Sequence, residues 1–432
     1  MPTPPSATAR DEPVIRDRGD ACPGALRLHA ADDGYLARIR IPGGLLTIQQ
    51  ASVLALAADR FGDGNLELTS RGNVQLRGLA DGCDAALAGL LDVAGLLPAP
   101  SHERVRNIVA TPMSGILSAG RPYVVPWVLE LDRLLCASPR AAALSGRFLF
   151  ALDDGRGDVA SLGPDVTALG RPADRALLRL GAAADAVEVA GPDVPRAALL
   201  AAEYFLDAAD AAGTRAWRVS ELPAEHALES AEFIVRLAAA GVEATHVPEV
   251  EWPYAPPPQP WGQSVGNTAP MCVLPPLGRL TSEQWRLLVR IADRGGGTLR
   301  ITPWRSIVLT SASTRRPVNG YAQLAGAGLV VTPDGPWESV TACTGRPGCA
   351  KSLADVRADA RAVVDEARGE RPVHWSGCER RCGHPRGTAW VDLVATPEGY
   401  RLDGRPVPRN ELAAAVAEAR SQPRVSEGAV KK

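Results

Sequence analysis

The sequence predicts an α+β fold organised around a duplicated unit, and three observations carry that prediction. Two distant segments match in order, each reads as strand, helix and strand, and the stretches between and after them alternate strand runs with Ala-rich helices. The first copy runs Leu46-Thr47, Gln50, Ala58-Asp59-Arg60, a glycine turn, and then a strand pattern over 66–76. The second runs Leu280-Thr281, Gln284, Ala292-Asp293-Arg294, Gly295-Gly296-Gly297, and then a strand pattern over 299–309. The separation is far longer than a solenoid period, so it signals a duplicated domain and not a repeat array. At 432 residues the chain exceeds one ordinary core and suits about three domains.

The elements follow in order. Residues 1–20, rich in Pro, Thr, Ala and charge, are expected to be a disordered tail, and 421–432 looks similar. The units expected are 21–82 for the first copy, 100–255 for a first α/β domain, 265–325 for the second copy and 330–420 for a second α/β domain. In each copy a strand ends in Pro (Ile41-Pro42, Leu274-Pro275), Thr47 or Thr281 opens a helix, and a glycine turn leads into the second strand. Residues 104–251 mix strand runs such as 146–152 with helices, and 340–401 reads strand, cysteine loop, helix, cysteine loop, strand. The helix after Cys349 has Leu353, Val356, Ala360, Val363 and Ala367 at helical spacing, with Ser352 and Asp355 placed as a capping box. Its amino end is expected beside Cys349, where free N–H groups favour anionic thiolates.

Composition excludes several functions. Hydrophobic residues at 46% and charged residues at 22% are those of a soluble globular chain. The best apolar stretch, 85–97, is short and contains Asp92, so no membrane span is expected. A net charge of −2 gives no reason to expect nucleic acid as a partner. No basic segment leads into an apolar run at the start, which points to the cytoplasm and a reducing compartment.

Against that background, Cys343-Thr-Gly-Arg-Pro-Gly-Cys349 and Cys378-Glu-Arg-Arg-Cys382 read as a metal site. Soft thiolates suit an iron-sulfur cluster or zinc, and four are the usual complement of a cubane. The loose C-x5-C gap with Gly345, Pro347 and Gly348 favours the cluster, with zinc second and unrelated thiols third. Cys22, Cys83, Cys136 and Cys272 have no partner at such spacing and read as small buried hydrophobes.

Arginines form the second pattern. Strand alternation puts Arg38 and Arg40 on one side, and Thr69, Arg71, Asn73, Gln75 and Arg77 on one side unless Gly72 breaks the register. A face of Arg, Asn and Gln suits planar, bidentate capture of carboxylates, although a solvated sheet face is the plainer reading of any single arginine. Arg106-Asn107, Arg147 and Arg305 are further cationic candidates, and together they suggest a polyanionic ligand. No Gly-x-Gly-x-x-Gly follows a strand into a helix, so no nicotinamide or flavin site is expected.

These motifs resemble a known family. Arg38 to Gly44, Leu68 to Gln75, Val105-Arg106-Asn107 and the two cysteine pairs, in this order, resemble the sirohaem-dependent sulfite and nitrite reductases over roughly 22–401. Ala21-Cys-Pro-Gly24, Thr69 to Gly78 and Thr302-Pro-Trp-Arg305 look like the precorrin-3B synthases of that superfamily. The resemblance implies a sulfite/nitrite reductase-like fold: duplicated ferredoxin-like half-domains forming one domain, plus two α/β domains enclosing a tetrapyrrole and a 4Fe-4S cluster on Cys343, Cys349, Cys378 and Cys382.

The reductases carry two lysines in the strand matching 146–150, where this chain has Arg147 and Leu149. Loss of one proton-donating cation weakens the reductase reading. The synthase reading implies oxygen-dependent hydroxylation and lactone formation on precorrin-3A in cobalamin biosynthesis. It makes Arg38, Arg106 and Arg147 the catalytic candidates and Arg38, Arg40, Arg71, Asn73, Gln75, Arg77, Arg106, Arg147 and Arg305 the substrate binders. Electrons would come from a ferredoxin or an NADH-linked reductase. It also implies a mononuclear non-haem iron, for which His374 and His384 are the first histidines to test, and sirohaem only if the chain is a reductase. Trp304 is a candidate to stack on the macrocycle.

Overall fold

In a computed structural model, residues 20, 22–116, 120–259, 271–310, 320–333, 335–386 and 388–421 are described. The tails expected at 1–20 and 421–432 therefore lie almost wholly outside the described residues.

The two copies merge into one body by exchanging strands. One sheet runs in the order His29–Ala31, Gly34–Ile39, Val74–Leu79, Asn65–Leu68, Arg279–Thr281, its last strand coming from the second copy. The other runs Met271–Val273, Ile307–Leu309, Leu299–Ile301, Leu45–Leu46, and here the last strand comes from the first copy. The helices Ile48–Phe61 and Ser282–Arg294 pack together, and Trp285 Nε1 donates to Ala51 O at 2.7 Å. Leu54, Ala58, Leu288 and Ile291 lie in one shared core. Thr47 and Thr281 are the N-caps expected, each closed into a capping box with Gln50 or Gln284.

The strand patterns at 66–76 and 299–309 are each a hairpin and not one strand. Asn65–Leu68 turns back into Val74–Leu79, and Leu299–Ile301 into Ile307–Leu309. Gly72 at φ +67° makes the first turn, so the register that would have aligned Thr69 through Arg77 is broken there. In the second turn Arg305 holds the left-handed position at φ +61°, a conformation costly for a side-chain-bearing residue.

The remaining sheets share a topology. Ile108–Ala110, Phe150–Asp153 and Val166–Arg171 are parallel neighbours, followed by antiparallel Arg175–Leu180 and Ala186–Ala190, with Ala244–Val247 at the edge. Val340–Ala342, Val373–Ser376 and Val391–Ala395 repeat the parallel trio, followed by antiparallel Gly399–Leu402 and Arg405–Pro408. The duplication thus extends beyond the two matching segments, and the loops leaving the first two strands of the second sheet are the cysteine loops.

The helix after Cys349 is shorter than its periodicity suggests. It spans Val356–Val363 with Asp355 as its N-cap, accepting from Ala358 N, while Ser352 Oγ turns to Ala354 O and Leu353 is exposed. Its amino end is therefore set back from Cys349. Among the described residues no helix is long and apolar enough to cross a membrane.

Candidate functional site

A cavity of about 740 Å³ opens where the first-copy sheet, the second-copy turn and both α/β units meet. Its wall begins with a hydrogen-bonded chain. Arg38 Nη2 donates to Gln75 Oε1 at 2.9 Å, Gln75 Nε2 to Glu67 Oε2 at 3.1 Å, and Arg357 Nη1 to Glu67 Oε1 at 2.6 Å. Arg357 Nε then donates to the carbonyl of Cys343 at 3.2 Å, so the first-copy sheet is tied to the cysteine loop. The turn after Leu68 presents Arg71, whose Nη1 donates to Gly146 O at 2.9 Å. Arg305 reaches the cavity from its left-handed turn and donates through Nη2 to Gly383 O at 2.7 Å. On the far side Arg147 lies over the Trp217 ring at 4.6 Å, and Arg218 pairs with buried Asp165 at 2.6 Å.

Arg38, Arg71 and Arg305, unlike Arg218 and Arg357, have no carboxylate ion-pair partner among the described residues. Burial, with the neighbouring charges of Arg386, Arg40 and Arg218, pushes Arg71 down to about 9. Burial, then the Arg357 charge, takes Arg305 down to about 10. Burial also lowers Arg38, and its Nε finds no partner among the described residues. All stay cationic at neutral pH, and a bound carboxylate would supply the missing partner.

Cys343 and Cys382 line the same cavity. Cys343 Sγ accepts the Gly377 N–H at 3.2 Å, a contact that comes from the second cysteine loop and not from the helix end expected to supply it. Burial raises the Cys343 thiol most, and the nearby Cys382 and Cys349 sulfurs raise it further. Cys382 is raised by burial and then by Cys378 and Cys349, with Arg380 opposing. The Cys343, Cys349 and Cys382 sulfurs therefore lie within electrostatic reach of one another, and Cys378 within reach of Cys382. Soft thiols are the donor type that an anionic iron-sulfur cluster takes. Among the described residues no group of three His, Cys, Asp or Glu side chains is arranged to hold a metal ion. His374 is buried, shares Nδ1 with Thr341 Oγ1 at 2.9 Å, and is held well below the ordinary imidazole range by burial and the Arg305 charge. His384 stacks on Trp390. The described residues do not fit a mononuclear iron bound by two histidines and a carboxylate.

Of the sequence candidates, Arg38, Arg71, Asn73, Gln75, Arg147 and Arg305 line the cavity, but Arg40, Arg77 and Arg106 do not. Arg106 is turned into the core, where it makes a two-pronged ion pair with Asp132 at 2.6 and 2.7 Å and donates to Leu96 O. Arg77 is locked by Asp33 at 2.8 and 2.7 Å and by Gly348 O at 2.7 Å, so it braces the C-x5-C loop. Arg40 Nε is spent on Arg104 O. Asn73, although on the wall, accepts Ile41 N and so holds the turn.

Trp304 faces a separate apolar pocket, and Leu149 is buried with Val109, Ala151, Val159 and Leu162. Cys22, read as a core thiol, lines the cavity, and Cys83 and Cys136 are only half-buried; Cys272 alone is buried. Sequence reasoning missed Arg218, Arg357, Arg380 and Arg386. Only Arg380, inside the C-x3-C motif, carried a local signal.

The sheets, the strand exchange and the thiol-bearing cationic cavity define a nitrite/sulfite reductase-like fold. A family model for the nitrite/sulfite reductase ferredoxin-like half domain matches residues 29–88 and 265–314, the two copies. The chain is 28% identical to a ferredoxin–nitrite reductase of Synechococcus elongatus over 410 residues, 86% of this chain and 78% of that protein. It is 26% identical to a precorrin-3B synthase of a Sinorhizobium species over 405 residues, 90% of this chain and 83% of that protein. Among solved structures, the Mycobacterium tuberculosis NirA protein superposes with a TM-score of 0.67 at 18% identity, covering 89% of this chain and 79% of that one.

Proposed function

We propose that this protein is an oxidoreductase of the precorrin-3B synthase type, hydroxylating precorrin-3A with dioxygen and closing a lactone with a ring acetate in cobalamin biosynthesis. One observation carries the reading. Eight arginines (38, 71, 147, 218, 305, 357, 380, 386) line the cavity against three carboxylates, Asp20, Glu67 and Glu221, which suits a polycarboxylate tetrapyrrole. Arg38, Arg71 and Arg305 would seat substrate carboxylates, and Arg147, held over the Trp217 ring, would sit over the reacting face. The reaction places one oxygen atom on the substrate and releases the other as water, consuming an electron pair and two protons.

Cys343, Cys349, Cys378 and Cys382 would hold a 4Fe-4S cluster, which supplies electron transfer when bound. Cys343 and Cys382 lie on the cavity wall, so electrons delivered there arrive beside the ligand. A soluble ferredoxin or NADH-linked reductase in the cytoplasm is the proposed donor. In this reading the half-domains at 21–82 and 265–325 and the flanking units at 100–255 and 330–420 work as one enclosure.

A sirohaem-dependent nitrite or sulfite reductase is the second reading, favoured by the similarity to the Synechococcus elongatus protein. Burial of Leu149 weighs against it, because only Arg147 of that pair presents a cation to the cavity. Anaerobic purification, incubation with precorrin-3A, reductant and oxygen-18 gas, and mass analysis test the proposal. Label in the product supports it, whereas unlabelled product or sirohaem bands in the purified protein refute it.

A further inference from the structure

The Ser70, Arg305 and Arg386 side chains that border the cationic cavity also border a second, smaller one of about 110 Å³. The two spaces share a wall but differ in chemistry. The annex is walled by Leu162, Tyr254, Pro257, Pro258, Leu274 and Trp304. Its polar neighbours are turned to one another: Gln259 Nε2 donates to Glu338, Ser161 Oγ to Asp158 O, and Thr341 Oγ1 is shared with Val373 O and His374. Arg305 spends Nη2 on Gly383 O. What these residues leave facing the annex is largely carbon. Behind Leu162 and Trp304 stand Val109, Leu149, Ala151 and Val159, so the apolar surroundings continue into the core.

A charged tetrapyrrole has no reason to enter so small and largely apolar a space. Apolar cavities of about 150 Å³ stay dry and take up small apolar guests such as xenon. The reaction proposed for the neighbouring cavity does not use the annex. We propose that the annex is a binding and delivery site for a small apolar gas, dioxygen, which passes by Trp304 and Arg305 into the cationic cavity. This rests on the oxygen-dependent reading above and adds to it a route for the second substrate. The separation of routes is physical: the polycarboxylate needs a wide, cationic, wet entrance, whereas dioxygen, small and apolar, partitions into apolar space.

Two measurements on the full-length, cluster-loaded protein test the route. Crystals held under xenon pressure are expected to show xenon between Leu162, Trp304 and Pro257. In Leu162→Trp, whose indole fills the annex, the KM for dioxygen is expected to rise several-fold while the dissociation constant for precorrin-3A, titrated anaerobically, stays at the wild-type value. A xenon-free annex overturns the proposal, and so does an unchanged dioxygen KM in a variant whose annex is seen to be filled. The two readings fail differently. A wild-type enzyme that consumes no dioxygen with substrate and reductant overturns the synthase reading and the route together. Normal consumption with an insensitive annex overturns the route alone.

Discussion

Arg71→Met separates a binding arginine from a structural one, because the two roles predict opposite signs. Arg71 is half-buried, has one carbonyl partner in Gly146 O at 2.9 Å, and is pushed down to about 9 by desolvation and by the charges of Arg386, Arg40 and Arg218. A shift of that size means that the folded protein holds the charged form at a cost of several kcal/mol. Replacing it with an apolar chain of similar length removes this cost and gives up a hydrogen bond worth about 1–3 kcal/mol to a charged group. The net is a gain of about 1–3 kcal/mol for the ligand-free fold.

In a protein of this size that gain raises Tm by about 1–3 °C. Binding should move the other way. Loss of a buried charge-assisted contact to a carboxylate costs about 2–5 kcal/mol, or roughly thirtyfold or more in affinity. Thermal denaturation of cluster-loaded protein and anaerobic tetrapyrrole titration read the two quantities. A variant that melts lower than wild type and binds as well as wild type refutes the reasoning and makes Arg71 a strut.

Three further outcomes are expected. Cys343→Ala and Cys382→Ala should each lose the brown absorbance and the acid-labile sulfide, measured with iron content after anaerobic purification, while Cys83→Ala keeps both. Tetrapyrrole affinity should fall as pH rises through about 9 to 10, because Arg71 and Arg305 carry folded values below the ordinary 12.5 and lose the charge that binds carboxylates; fluorescence titration across that range checks it. Burial, then the Asp153 charge, raises Asp158 to about 8 from 3.8. The folded chain therefore keeps a proton that the unfolded chain releases, and stability is lost as pH rises from about 4 to 8. Asp158→Asn, which can still accept from Thr111 and Val159, should flatten that slope in denaturant unfolding.

The duplicated unit was legible because its signals are local. Thr47 and Thr281 open helices as read, and the structure closes each into a capping box with Gln50 or Gln284, all within four residues. The cysteine pairs are local signals too, and both fall on the loops leaving Val340–Ala342 and Val373–Ser376, as their spacing suggested. What the sequence concealed is set by long-range partners. The exchanged strands Leu45–Leu46 and Arg279–Thr281 pair with the other copy, and no pattern inside two or three residues announces a partner that far along the chain.

The arginines show the same limit from the other side. Strand alternation says which face a side chain leaves from, but not which carboxylate waits there. Arg106 and Arg77 were plausible ligand binders until Asp132 and Asp33 took both prongs of each guanidinium, and those acids come from other elements. Arg218 and Arg357, without any motif, reach the cavity because Asp165 and Glu67 aim them there. A cationic cavity is therefore selected by elimination. Arginines that meet an internal carboxylate on both prongs become struts, and those left without one at a cost of burial, such as Arg38, Arg71 and Arg305, are the ones proposed above to take the carboxylates of a ligand.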